Sequence, residues 1–234
     1  MSLPQLKTEI QKQKNPQAAT FAQRFFRTGP GEYGEGDLFL GIRVPVLRKL
    51  AKQYKDLTHE EITQLLQSQW HEERAIALMI LCYQYAHGTA LDRQSIFAFY
   101  MCSTEWINNW DLVDLSARKI VGEYLGEHPE NHDVLRLLSQ SSSLWERRIA
   151  IVSSHYFILN GEFQPTLALC RTLIKDKHDL IHKAMGWMLR EVGKKDKTVL
   201  VKFLNQYGSQ LPRTSLRYAI ERFSPQERQA YLTK

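Results

Sequence analysis

Apolar residues recur along this chain at helical spacing and almost nowhere with the alternation of a strand. Ala75, Ile76, Leu78, Met79 and Cys82 fall three and four apart, and Leu65 and Leu66 close the amphipathic segment before them. That period lays an apolar stripe along one face of a helix. Prolines stand at the starts of such segments: Pro16, Pro45, Pro129, Pro165, Pro212 and Pro225 each precede an apolar-periodic stretch. The first turn of a helix is where a missing N–H costs nothing. His87-Gly88, Asn160-Gly161 and Tyr207-Gly208 supply the stop signals. The pattern predicts an all-α chain of about a dozen helices joined by short connections.

The pattern also repeats. Arg74-Ala75-Ile76-Ala77-Leu78 lines up with Arg147-Arg148-Ile149-Ala150-Ile151, and a looser match, His182-Lys183-Ala184-Met185-Gly186, follows at about half that interval. Helix-pair repeats of the HEAT type have such a period. The expectation is a HEAT-like helical-repeat solenoid, one domain over residues 1–234, whose concave face is a groove for an extended ligand. One stretch breaks the pattern. Thr28 to Asp37 reads TGPGEYGEGD, with four glycines and three acids, Glu32, Glu35 and Asp37. It has no phosphate-cradling glycine motif, and its carboxylates would repel phosphate, so it reads as a structural or partner-facing loop.

Charge sharpens the picture once it is located. Residues 141–234 hold 16 Lys/Arg against 8 Asp/Glu, and residues 1–140 hold 15 against 17. The positive excess therefore lies wholly in the C-terminal part. A polyanion partner fits such asymmetry, because phosphate neutralisation is the main sequence-independent source of nucleic-acid affinity; a solvated basic surface fits it equally well. A mean hydropathy of −0.39 and the lack of a long apolar run argue against a membrane span. The opening residues MSLPQLKTEIQKQKN are too polar for a secretory signal. Cys82, Cys102 and Cys170 are scattered without a CxxC pair and read as small buried hydrophobes of a reduced compartment, the cytoplasm.

Two constellations could carry chemistry. In Trp106-Ile107-Asn108-Asn109-Trp110-Asp111-Leu112-Val113-Asp114, a continuous helix would align Trp106, Trp110 and Asp114 on one face. In Lys183-Ala184-Met185-Gly186-Trp187-Met188-Leu189-Arg190-Glu191, Lys183 and Trp187 share a face, with Met185, Met188 and Leu189 on the core side. Taken alone, large aromatics mostly pack, with Asp114 capping or pairing nearby. Yet aromatic faces interleaved with cations such as Arg147-Arg148 are also what nucleic-acid contact requires. His128 and His132 lack the HExxH pattern and any Cys partner, so they do not read as metal ligands. No activated-nucleophile signature stands out.

The segments Phe39-Leu40-Gly41-Ile42-Arg43-Val44-Pro45, Trp110-Asp111-Leu112-Val113-Asp114, Leu144-Trp145-Glu146-Arg147-Arg148-Ile149-Ala150-Ile151 and Lys183 to Glu191 resemble the AlkD family of DNA alkylation repair enzymes, in order and spacing, over nearly the whole chain. The resemblance implies HEAT-like repeats wrapped around duplex DNA, with no metal or organic cofactor. It implies Trp110 and Asp114 as catalytic, Trp187 as a second active-site Trp and Arg148 as a DNA-contacting arginine. Arg147, Lys183, Arg190 and Phe25 join the expected DNA surface. Phe25 stands where the family's best-known form has Tyr, and the Thr28–Asp37 loop is longer than in that form.

The implied activity is that of a monofunctional DNA glycosylase of base excision repair. It would hydrolyse the N-glycosidic bond of cationic N3- or N7-alkylated purines without flipping the base. The expected partner is duplex DNA, with the protein a monomer and no membrane involved. Two alternatives stand beside it: a non-catalytic relative that binds branched or distorted DNA, and a protein-binding helical scaffold.

Overall fold

The computed structural model describes residues 2–233, and among them the chain is helical almost throughout, with an isolated bridge between Leu38 and Trp70 as its strand-like pairing. Packing divides it into two compact units, residues 1–116 and 117–234.

The first unit is built from α1 (Leu3–Lys12), α2 (Pro16–Phe25), α3 (Val44–Gln53), α4 (His59–Leu66), α5 (His71–His87), α6 (Ala90–Met101) and the start of α7 (Trp110–Ala117). Its centre is α5, against which α3, α4 and α6 pack. Ala75, Ile76, Ala77, Leu78, Ile80 and Leu81 are all buried, so α5 is apolar around most of its circumference, as a helix enclosed by others must be. The helix starts follow the sequence signals. Asn15 caps α2 by accepting from the Ala18 N–H, with Pro16 behind it, and Thr58 and Thr89 close capping boxes on α4 and α6.

The second unit opens with a turn of π-helix (Arg118–Gly122). It continues through α8 (Glu123–Glu127), α9 (Asp133–Ser139), α10 (Leu144–Ser153), α11 (His155–Leu159), α12 (Gln164–Leu173), α13 (Asp179–Lys195), α14 (Lys197–Tyr207), α15 (Arg213–Ala219) and α16 (Pro225–Leu232). Here α13 is central, meeting α10, α11, α12, α14 and α15. A Cβ at Gly186 would come within 2.7 Å of the Ser215 carbonyl oxygen and 2.5 Å of Tyr218 Cβ, so only glycine lets α15 lie this close to α13.

Two expectations are corrected. Trp106 does not share a helix with Trp110: it ends a 3₁₀ turn (Thr104–Trp106), and the chain restarts as α7 at Trp110. The break lies at Asn109, whose side-chain oxygen takes the Trp110 N–H at 2.8 Å, satisfying a helix-start donor that a continuous helix would have bonded internally. Cys102 is exposed at the end of α6, whereas Cys82 and Cys170 are buried as expected. The three glycine stops close helices where expected: α5 ends at His87 and α14 at Tyr207, capped by Gly88 and Gly208, and Gly161 follows α11 in the left-handed conformation, at φ 81°. No helix among the described residues is long and apolar enough to cross a membrane.

Candidate active site and nucleic-acid interface

In the first unit, Trp110 and Asp114 stand one turn apart on α7, both half-buried. The i, i+4 spacing puts indole and carboxylate side by side on one helix face. An aromatic cluster fixes the indole. Phe26 stacks on it, with ring centroids 5.2 Å apart and planes 16° apart, and Phe25 meets it edge-on at 5.9 Å. Phe26 in turn stacks on Phe39 at 4.8 Å, and both rings lie against His71. Trp110 thus has one face occupied while its side chain stays partly open to solvent. Near Asp114, burial first, then the Cys82 and Asp114 charges, push the Tyr100 phenol upward, against a pull from its hydrogen bond with Ser116.

Beneath the aromatic cluster lies a polar node. His71 bridges two carboxylates, Nδ1 to Asp37 Oδ2 at 3.1 Å and Nε2 to Asp111 Oδ2 at 2.8 Å. Arg74 donates to Asp37 Oδ1 and, at 2.8 Å, to the Ser68 carbonyl, and Asn109 Nδ2 donates to Asp37 Oδ2 at 2.9 Å. Burial alone would lower the imidazole's pKa; the charges and hydrogen bonds of Asp111 and Asp37 outweigh it and raise His71 to about 9. Asp37 moves the other way: burial would raise it, but His71, Arg74 and Asn109 hold it below the ordinary aspartate value. Asn109 therefore starts α7 with its oxygen and ties that start to the node with its nitrogen.

The node favours the structural reading of the glycine-rich loop. Its acids do not face a partner as a group: Asp37 is buried in the node, while Glu32 and Glu35 fold back onto the Gly29 and Gly31 N–H groups. A second buried carboxylate, Glu72, accepts from the backbone N–H groups of Leu40, Gly41 and Ile42 at 2.9, 2.7 and 3.2 Å, pinning the chain just before α3. Sequence reasoning missed His71, Asp111, Arg74 and Glu72. The run His71-Glu72-Glu73-Arg74 ahead of an apolar stretch was the available signal, because charges entering a buried helix need partners.

In the second unit the cations marked for DNA are mostly engaged by protein groups. Arg148 was expected at the surface, but only 5% of it is exposed, and its Nη1 donates to the Leu180 carbonyl at 2.6 Å. Facing inward from α10, it fills a backbone acceptor in the first turn of α13. Arg147 bonds Asp176 through Nε at 2.6 Å and the Ser141 and Ser142 carbonyls through Nη1. Lys183 pairs with Asp179 at 2.8 Å, and Arg190 pairs with Glu221 and, at 3.7 Å, Glu191. Trp187 is half-buried on α13 with the His155 ring tilted against it at 5.8 Å. Burial lowers the His155 pKa; Glu191 pulls upward, and Arg118, Lys194 and Lys195 push further down.

Helices packed around α5 in one unit and α13 in the other, with a half-buried indole–carboxylate pair on α7, define an all-helical protein with a candidate active site. Its family follows from comparison: residues 6–223 match the family described as DNA alkylation repair enzyme, and the chain belongs to that family. It is similar to a solved structure described as a predicted DNA alkylation repair enzyme from Enterococcus faecalis, at 18% identity over 91% of this chain and 98% of that one, with a TM-score of 0.71. The protein smu.31 from Streptococcus mutans UA159 is similar at 18% identity over 75% and 90% of the two chains, TM-score 0.56. AlkD2 from Streptococcus mutans is similar at 16% identity over 88% and 95%, TM-score 0.54. At these identities the likeness speaks for the fold. No curated protein matches the chain significantly.

Proposed function

We propose that this protein is a DNA glycosylase that excises cationic N3- or N7-alkylated purines from duplex DNA. The observation that carries the reading is the half-buried Trp110–Asp114 pair on α7, with Phe26 stacked on the indole and Phe25 against it edge-on. Such an alkylated purine already bears a positive charge. When the C1′–N bond breaks, its electron pair goes to the base and neutralises it, so no acid is needed to protonate the leaving group. The charge moves to the sugar, which becomes oxocarbenium-like.

A carboxylate beside that sugar stabilises the developing charge and orients the water that attacks C1′; the water's proton passes to the carboxylate or to solvent. Asp114 is assigned this role. An indole face attracts the cationic sugar by about 0.5–2 kcal/mol; Trp110, one turn from Asp114, is assigned that role, and Trp187 is assigned as the DNA-facing indole of the second unit. Because the base is not drawn into a pocket, bulky adducts are tolerated. DNA is the partner; Phe25 in the first unit and Lys183 and Arg190 in the second are each assigned to its contact, while Arg147 and Arg148 act by holding α10 and the start of α13 in place. No cofactor enters this chemistry.

The test is release of 7-methylguanine and 3-methyladenine from methylated duplex DNA, run beside Asp114→Asn and a protein-free control. Wild type should release both, and Asp114→Asn should lose at least about a hundredfold in rate while binding DNA as tightly or more tightly. Normal excision by Asp114→Asn would remove the catalytic assignment. No release by wild type, with tight binding to branched DNA, would place the protein among non-catalytic DNA binders.

A further inference from the structure

The excision chemistry leaves most of α2 unused. This helix of ten residues has no buried residue. Phe21 and Phe25 lie one turn apart on it, 71% and 55% exposed, with ring planes 14° apart and centroids 6.2 Å apart. Phe25 is backed by Phe26 and Trp110, whereas Phe21 extends the aromatic surface outward along the helix. Exposed phenyl rings in register forgo burial, which marks a surface awaiting a partner.

The charge around these rings narrows the partner. From Ile10 to Gly31 the chain carries Lys12, Lys14, Arg24 and Arg27 and no Asp or Glu. Among the described residues, neither Arg24 nor Arg27 joins an ion pair, and both are exposed. Arg27 follows α2 in the left-handed conformation, at φ 53°. Aromatic faces set among unneutralised cations match a nucleic-acid strand: the cations take phosphates and the rings take bases. A phenyl ring has no donor or acceptor with which to read a paired base edge. It stacks on a base face, which is open only where the base has left the helix stack.

We propose that Phe21 and Phe25 form a stacking platform for an unpaired base of a DNA strand, with Arg24 and Arg27 holding the adjoining phosphates. The proposal rests on DNA as the partner of the site above and is independent of base excision. It makes Phe21 a determinant of preference for DNA with a displaced base.

The experiment uses the full-length protein and two duplexes of one sequence, fully paired or carrying a single bulged 2-aminopurine. Wild type should bind the bulged duplex more tightly and change its 2-aminopurine fluorescence. Phe21→Ala should weaken binding to the bulged duplex roughly tenfold or more, with a much smaller effect on the paired one. Phe21→Trp should restore both the preference and the signal. Because Phe21 is largely exposed, circular dichroism of the variants should match wild type. Equal affinity for the two duplexes, or equal loss on both in Phe21→Ala, would overturn the platform. Absence of excision with the bulge preference intact would remove the glycosylase reading and leave the platform standing.

Discussion

The cations of α2 and those of α10 and α13 make opposite use of their charge. The C-terminal part is richer in Lys and Arg, yet Arg147, Arg148, Lys183 and Arg190 all have carboxylate or carbonyl partners within the second unit. The first unit belongs to the part of the chain with no positive excess, but Arg24 and Arg27 lie exposed in a stretch without acids. A phosphate approaching Lys183 or Arg190 must compete with a carboxylate already in place. One approaching Arg24 or Arg27 displaces only water and ions. Net charge over a segment therefore ranks regions poorly as polyanion sites; what matters is charge left over after internal pairing.

Three measurements bear on that contrast. The largest effect concerns the most deeply engaged cation, His71. Its folded-state pKa is raised from 6.5 to about 9, so its contribution is fully present below pH 6.5 and is lost as pH rises through about 9. Urea unfolding at pH 6 and at pH 10 should differ by roughly 3 kcal/mol from this group, and His71→Gln should flatten that dependence. A pH-independent wild type would show that the node is not charged as described.

Arg148→Met comes next. It leaves the Leu180 carbonyl without its donor and should cost about 1–3 kcal/mol of stability. If the variant unfolds at the wild-type urea midpoint but binds duplex DNA weakly, Arg148 is a phosphate contact after all and the contrast fails. The smallest effect is on salt dependence. Replacing Arg24 and Arg27 by Ala should reduce the slope of log K against log salt by about 1–2, and replacing Lys183 and Arg190 should reduce it by less. A larger change from the second pair would reverse the ranking.

Helices were readable in the sequence because their signals are local. Pro16 and Pro225 act within a few residues, and each begins a helix where expected. The pairing of Trp110 with Asp114 was equally legible, since one helical turn joins them. Trp106 was misplaced because the decisive bond is partly remote: Asn109 is held by Asp37, 72 residues away in sequence. The node was hidden for the same reason, its hydrogen bonds to His71 spanning 34 and 40 residues. Arg148 shows a further limit. Arg147 and Arg148 read alike in a helix, and only the direction each side chain takes separates the buried one from its neighbour.

Gly41 decides where the α2 surface stands. Its φ is 77°, and a Cβ there would lie 2.2 Å from the Asn15 carbonyl oxygen and 2.5 Å from the Ala19 nitrogen. The first turn of α2 therefore rests on a place where a side chain is missing. Among related chains, residue 41 serves as a marker: those that keep glycine retain the same seat for this helix, and those that carry any larger residue must present it elsewhere or not at all. One position, silent in any test of chemistry, thus sorts relatives by the surface they offer.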